Sequence, residues 1–189
     1  MLFRSNQRNS NFDIVETGTL RTPDNWMDGQ SARLFTEFVE LYGGRMRSVD
    51  IDQAACQAAQ QHITSNKFSV FHSDSVAWLK QQIDLNSVDL FYLDSYDVDW
   101  NNDTASADHH LKEFISIQPH LKPGAVVALD DNSRWVNNNQ RTGKGRRVVE
   151  YLEDQGHLPI YDEYQIIFQS IQSSLTRHLE LPKIKKKKV

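Results

Sequence analysis

The chain has 189 residues and a mass of 21.9 kDa; 39% of it is hydrophobic, 24% is charged, and its formal net charge is −4. This mixture fits one globular domain with a sizeable core and excludes a wholly disordered chain, a collagen and a disulfide scaffold. Cys56 is the only cysteine, so no intrachain disulfide can form and a reducing, cytoplasmic setting is expected. The start, MLFRSNQRNSN, has no apolar run of signal-peptide length. No stretch approaches the roughly 18 apolar residues of a membrane span, so no membrane insertion is expected.

The first strand is predicted over residues 12–15 (FDIV). A helix follows over 31–42, where Phe35, Phe38, Val39 and Tyr42 repeat at i, i+3, i+4 and i+7, with Ser31 as N-cap and Gly43-Gly44 as the stop. Residues 45–51 (RMRSVDI) read as strand two, and Asp52 caps an Ala-rich helix running to about His62. Strand three covers 68–71, a short helix 75–82, and strand four 88–93 (VDLFYL). A polar loop over 94–104 leads into a helix over 105–118, which Pro119, Pro123 and Gly124 end before strand five at 125–129 (AVVAL). A helix over 146–155 closes at Gly156, and 158–161 with 164–168 read as a tight hairpin.

This alternation predicts an α/β fold: a mostly parallel, Rossmann-like sheet with helices on both faces and a C-terminal antiparallel hairpin. The domain is expected over 1–170. Residues 171–189 form a polar C-terminal extension whose last seven positions hold five lysines. An acidic body argues against nucleic acid as a partner, and the lysine tail reads as a solvated end.

In an open parallel sheet, ligands bind beyond the carboxyl ends of the strands. Each of the first five strands ends in an acid or reaches one within a few positions: Glu16, Asp50, Asp74, Asp94 and Asp130-Asp131. Gly18 follows strand one in the turn Glu16-Thr17-Gly18-Thr19, without the glycine pattern that cradles a pyrophosphate. Asp50 at strand two can accept both hydroxyls of a ribose. Asp74 with Ser73 at strand three can accept an adenine amine. Together they describe a nucleoside without phosphate, and S-adenosylmethionine (SAM) is the candidate. Asp52 and Asp74 are also good N-caps, and Glu16 can be a satisfied structural acid.

The pieces FDIVETGT, GQSARLF, MRSVDID, FHSDSVAWL, VDLFYLD and LKPGAVVALDDN, in this order, make the chain similar to class I SAM-dependent methyltransferases, nearest in motif pattern to the catechol and macrocin O-methyltransferases. The resemblance spans residues 12–168. It implies that Glu16 and Gly18 line the methionine end of SAM, that Asp50 holds the ribose, and that Ile51 packs on the adenine. It further implies that Ser73 and Asp74 edge the adenine and that Ser31, at a helix start, meets the methionine carboxylate. Catechol-type relatives pass from the strand-one glycine to the next helix in a few residues. Here ten residues, 19–28 (TLRTPDNWMD), intervene, and Asn25 and Trp26 of this loop are candidates to cover the cofactor.

Asp94 and the Asp130-Asp131 pair sit on neighbouring strand tips in such a fold. Three converging carboxylates call for a cation, and Mg²⁺ suits hard oxygen ligands. The resemblance places an acid at Asp94 and an acidic or Asp-Asn pair after strand five; Asp130 and Asp131 match by spacing, with Asn132 in reserve. A lysine base that the catechol type carries is missing after Asp94, which leaves Asp97 as the nearest candidate base. His109-His110 point to different helix faces, which favours core or surface roles over a metal site. Gly143-Lys144-Gly145 is a fragment of a phosphate loop by composition, and reads as a turn before a helix or a flap near the substrate.

The expected function is metal-assisted O-methylation of a small hydroxylated molecule, such as a sugar or polyol. The alternatives are a metal-independent class I methyltransferase and a non-catalytic nucleoside-binding module. The short lead-in to strand one suggests either a large substrate or a second copy, in a homodimer, closing the site.

Overall fold

The structure is a computed structural model that describes residues 11–26, 28–84, 87–133 and 141–169. The C-terminal extension expected over 171–189, with its lysine tail, lies outside the described residues.

The main sheet has seven strands: β1 (Phe12–Thr17), β2 (Gly44–Asp50), β3 (Phe68–His72), β4 (Val88–Leu93), β5 (Leu121–Leu129), β8 (Tyr161–Asp162) and β9 (Ile166–Gln169), in the order β3-β2-β1-β4-β5-β9-β8. The first five pair in parallel, while β9 runs antiparallel to β5 and β8 antiparallel to β9. A separate small hairpin, β6 (Asn132–Ser133) with β7 (Thr142–Gly143), was not foreseen. The mostly parallel sheet with a C-terminal antiparallel hairpin is the architecture that the alternating sequence pattern predicts.

Among the described residues, five α-helices cover the sheet: α1 (Ser31–Tyr42), α2 (Gln53–His62), α3 (Ser75–Gln82), α4 (Thr104–Ile117) and α5 (Arg146–Asp154). Side chains alternate along each strand, so each central strand feeds two cores. Ile14 joins Ala32, Val39, Met46, Ala59 and Ile63 beneath α1 and α2. Its neighbour Val15 joins Phe91, Leu93, Trp78, Phe114, Val148 and Leu152 beneath α3, α4 and α5. Among the described residues, no helix is long and apolar enough to cross a membrane.

Local chemistry explains most boundaries. Asp52 and Asp74 cap α2 and α3, accepting from the amides of Ala54 and Ala77 at 2.8 Å each. Gly43, at φ 91°, ends α1 and donates its N–H to the Val39 carbonyl. Three expectations are corrected. The residue capping α1 is Gln30, without a side-chain cap bond, because the Ser31 hydroxyl donates to Glu16. Strand five begins at Leu121, not 125: Leu121 pairs with Val88, the register shifts, and Val126 pairs with Leu90. The turn residue Gly124, at φ 84°, sits in that irregularity. The penultimate strand shrinks to Tyr161–Asp162, although Ile160 still donates its N–H to the Ile167 carbonyl at 2.8 Å.

Candidate active site

The segments at the carboxyl ends of β1 to β4 line a cavity of about 680 Å³. Gly18 forms part of its floor. It sits at φ 90°, and a Cβ there would lie 2.9 Å from the Asp94 carbonyl oxygen. The glycine thus lets the tips of β1 and β4 meet, where Asp94 donates its N–H to the Thr17 carbonyl at 3.0 Å. Gly29 is as tightly placed, its would-be Cβ 2.7 Å from the Thr19 carbonyl.

Asp50 and Ile51 line one wall, with Asp74 and Ser75 beyond them. Burial pushes the Asp50 carboxyl above its usual range, while the Asp52 amide donating to Oδ1 at 2.8 Å opposes that. Ile51 is 71% exposed, an apolar side chain left on the cavity wall. Asp74 reaches the cavity, but its Oδ1 caps α3. Ser73 turns its hydroxyl to the Asp74 carbonyl.

Glu16 lies beneath the cavity at 1% exposure. Ser31 of α1 and Ser48 of β2 both donate to its carboxylate, so it ties three elements together under the β1 turn. Burial pushes its pKa up to about 8; the two serines pull it down and Asp94 pushes it further up. Glu16 and Ser31 therefore support the floor together, and Ser31 is committed to Glu16.

The opposite wall carries Asp94, Ser95, Tyr96, Asp97 and His109. Asp97 accepts from Arg21 at 2.9 Å, with a side chain 81% exposed. Arg21 also holds Asp28 at 2.9 Å, so the 19–28 loop is clasped to the β4 loop across the cavity edge. Arg21 makes this closure, while Trp26 stands 67% exposed.

Behind Asp94 lies a corner built from the β4 and β5 tips. The Lys144 ammonium is 3.1 Å from Asp94 Oδ1 and 2.7 Å from Asp131 Oδ2. Asp131, at φ 53°, also accepts from the Tyr164 hydroxyl. Asp130 accepts from the Tyr92 hydroxyl at 2.8 Å, and its Oδ1 is buried with no partner. Asn132 bonds main-chain groups through both side-chain ends, donating to Leu129 O at 3.0 Å and accepting from Gly145 N at 2.9 Å. Burial pushes Asp94 up to about 6, against the pull of Lys144. Burial acts on Asp131 in the same direction, yet Lys144 and Tyr164 hold it below the usual carboxylate range.

Between the two walls is a buried hub on α4. Glu113, fully buried, accepts from Thr17, Ser75 and Ser95, and lies 3.1 Å from His109 Nε2. His109 faces the cavity. His110 is fully buried, with Nε2 2.8 Å from the Ser95 carbonyl, and burial lowers its pKa to about 4. The two histidines differ in exposure, yet both approach Glu113, with Nε2 at 3.1 Å for His109 and 4.0 Å for His110.

A family described as a methyltransferase domain matches residues 26–132, more than half of the chain. The chain belongs to this methyltransferase domain family. Solved structures agree on the fold. The MycE methyltransferase of the mycinamycin biosynthetic pathway, in complex with Mg and S-adenosylhomocysteine (SAH), is 14% identical with a TM-score of 0.60; the match covers 86% of this chain and 46% of that one. The geranyl diphosphate C-methyltransferase of Streptomyces coelicolor A3(2), in complex with Mg²⁺, geranyl-S-thiolodiphosphate and SAH, is 12% identical over 88% of this chain and 72% of that one, with a TM-score of 0.56. NSun6 from Pyrococcus horikoshii, with SFG, is 9% identical over 87% of this chain and 49% of that one, with a TM-score of 0.60. The chain thus spans less than half the length of the MycE chain. No curated protein matches it. The fold is that of a class I SAM-dependent methyltransferase.

Within this methyltransferase domain, the structure brings Gly18, Asp50, Ile51, Asp74, Asp94 and Asp97 to one cavity, places Glu16 and Ser31 beneath it, and turns Ser73 to the main chain. The fit to SAM is good. The cavity is floored where a Cβ would collide, offers Asp50 beside the apolar Ile51, and its arginine, Arg21, is already paired with two carboxylates. The fit to Mg²⁺ at Asp94, Asp130 and Asp131 is poor. Lys144 and two tyrosine hydroxyls occupy carboxylate oxygens of all three, and among the described residues no group of three or more His, Cys, Asp or Glu side chains is arranged to hold a metal. Sequence reasoning missed Glu113, Tyr92 and Tyr164, and it placed the Gly143-Lys144-Gly145 run in a turn or a flap near the substrate without pairing Lys144 with the acids. The bracketing glycines are the signal that marks the Lys144 segment, as a close main-chain approach.

Proposed function

We propose that the domain transfers the methyl group of SAM to an oxygen of a small hydroxylated acceptor, such as a sugar or polyol. The observation that carries this reading is the single cavity at the strand tips, with Asp50 and Ile51 on one wall and Asp94 on the other. Asp50 accepts the ribose hydroxyls in charge-assisted hydrogen bonds. Ile51 packs against the adenine, and Asp74 and Ser75 stand at its edge. Gly18 leaves room for the methionine end. SAM supplies an electrophilic methyl: the acceptor oxygen takes it, and the C–S electron pair returns to sulfur, giving SAH. Asp94, on the acceptor side, takes the proton that the hydroxyl releases. Asp97 is the less suitable base, because its side chain stands 81% exposed at the rim.

Oxygen as the nucleophile is supported by the acid at the β4 tip and by the sequence resemblance to catechol and macrocin O-methyltransferases. With the carboxylates paired as they are, positioning carries the reaction, which alone can supply much of such a rate enhancement. Magnesium assistance, which the order of acids suggests, requires Lys144 to leave first. The test is to incubate the protein with SAM and a panel of sugars and polyols, in chelator and in Mg²⁺, and to follow SAH release. Acceptor-dependent SAH release in chelator supports the reading. Release only with Mg²⁺ restores the metal-assisted form, and absence of SAM and SAH binding by calorimetry leaves a structural module.

A further inference from the structure

The Gly143-Lys144-Gly145 run delivers a lysine to the acids at the β4 and β5 tips. Gly143, at φ 109°, lies so close to β6 that a Cβ would sit 2.1 Å from the Asp131 carbonyl oxygen. A Cβ on Gly145 would sit 2.5 Å from Asn132 Oδ1. Side chains are therefore excluded on both sides of Lys144, and its own main chain is fixed. The amides of Gly143, Lys144 and Gly145 donate in succession to Asp103 Oδ2 at 2.8 Å, the Asp131 carbonyl at 3.1 Å and Asn132 Oδ1 at 2.9 Å. Arg146 then locks Asp103 through its guanidinium at 2.7 Å.

The side chain rising from this anchored position is 3% exposed. An ammonium has three donors, and three acceptors meet it: Asp131 Oδ2 at 2.7 Å, Asp94 Oδ1 at 3.1 Å and the Asp94 carbonyl at 3.4 Å. This is the position at which the sequence calls for a divalent ion. We propose that Lys144 is a built-in counter-ion that takes the place of a divalent cation between Asp94 and Asp131, so that this site excludes Mg²⁺. Resting on the methyl-transfer reading above, it also narrows the acceptor. A metal gathers two vicinal hydroxyls by chelation, whereas a fixed ammonium behind Asp94 leaves a single hydroxyl, positioned beside that carboxylate, sufficient.

The experiment titrates Mn²⁺ into the protein and follows bound ion by electron paramagnetic resonance, for the wild type, Asp131→Asn, Lys144→Ala, Lys144→Arg and Lys144→Ala/Asp131→Asn. The wild type and Lys144→Arg should show no saturable site at millimolar Mn²⁺. Lys144→Ala should gain one ion per chain, at least about tenfold tighter than any wild-type binding, and the second substitution should remove it. Wild-type binding that Asp131→Asn abolishes would overturn the proposal, as would a folded Lys144→Ala that binds none. Should Lys144→Ala fail to fold, the wild type and Asp131→Asn titrations decide alone. SAH is titrated into the same samples: failure of SAH binding counts against the methyl-transfer reading and leaves the metal result standing.

Discussion

The tips of β1 to β3 and those of β4 and β5 carry the same kind of residue, yet are arranged in opposite ways. On the first side, Glu16, Asp50 and Asp74 are each served separately, by serine hydroxyls or by main-chain amides. Among the described residues, no ion pair joins these three acids to a lysine or arginine; Arg21 lines the same cavity but pairs with Asp28 and Asp97. On the second side, Asp94 and Asp131 share one buried ammonium, and tyrosines hold Asp130 and Asp131. Carboxylates spaced along a sheet edge can stay ionised at modest cost when each has its own donors; carboxylates pressed together need a common cation. The open side suits a ligand that brings its own donors. The closed side already holds a cation.

The largest expected effect breaks the closed side. Lys144→Ala strands two carboxylates and should lower the unfolding free energy by about 3 kcal/mol, read by urea titration near neutral pH. Adding Asp131→Asn should recover part of that loss, because it removes one of the uncompensated charges.

Gly18→Ala comes next and strikes the seam between the two sides. Its Cβ meets the Asp94 carbonyl at a positive φ, for a loss of about 2 kcal/mol together with weakened SAH binding. Gly156→Ala is the control. It also has a positive φ, but nothing lies within 4 Å of its would-be Cβ, so strain alone acts, about 1 kcal/mol.

Glu16 tests the open side through pH. Its carboxyl is raised from an ordinary 4.5 to about 8 in the folded protein. The folded state therefore keeps a proton that the unfolded state releases. Stability from this group is full below 4.5 and is lost as pH rises through about 8. Glu16→Gln keeps the shape and removes the titration, so its unfolding free energy should decline less across that window than the wild type's. An identical decline in both would place the titrating group elsewhere. The smallest effect belongs to the rim. Asp97→Asn weakens an exposed pair with Arg21 and should change stability by less than about 0.5 kcal/mol.

Much of the fold was legible because its signals are local. The four-residue apolar spacing of Phe35, Phe38, Val39 and Tyr42, the caps Asp52 and Asp74 and the run AVVAL each depend on residues close in sequence. The irregular start of β5 was hidden because Pro123 and Gly124 read as a stop, although the chain pairs with β4 before and after them. In the site, the strand-tip acids were legible by position and Gly18 by its turn. Their partners were not. Lys144 reaches Asp94 only through the placement of the segment after β5, and Glu113 lies mid-helix, where a lone acid usually reads as solvated. Ser31 was legible as polar and misread as a cap, because Glu16 competes for its hydroxyl from another element.

The role proposed for Asp50 is to hold the nucleoside of SAM on the open side. Calorimetric titration of SAH into the wild type and Asp50→Ala, with NAD as a second ligand, tests it most directly. One SAH should bind per wild-type chain, with an affinity about tenfold or more weaker in Asp50→Ala, and NAD should give no heat. Equal SAH affinity in the two proteins, or displacement of SAH by NAD, would contradict it.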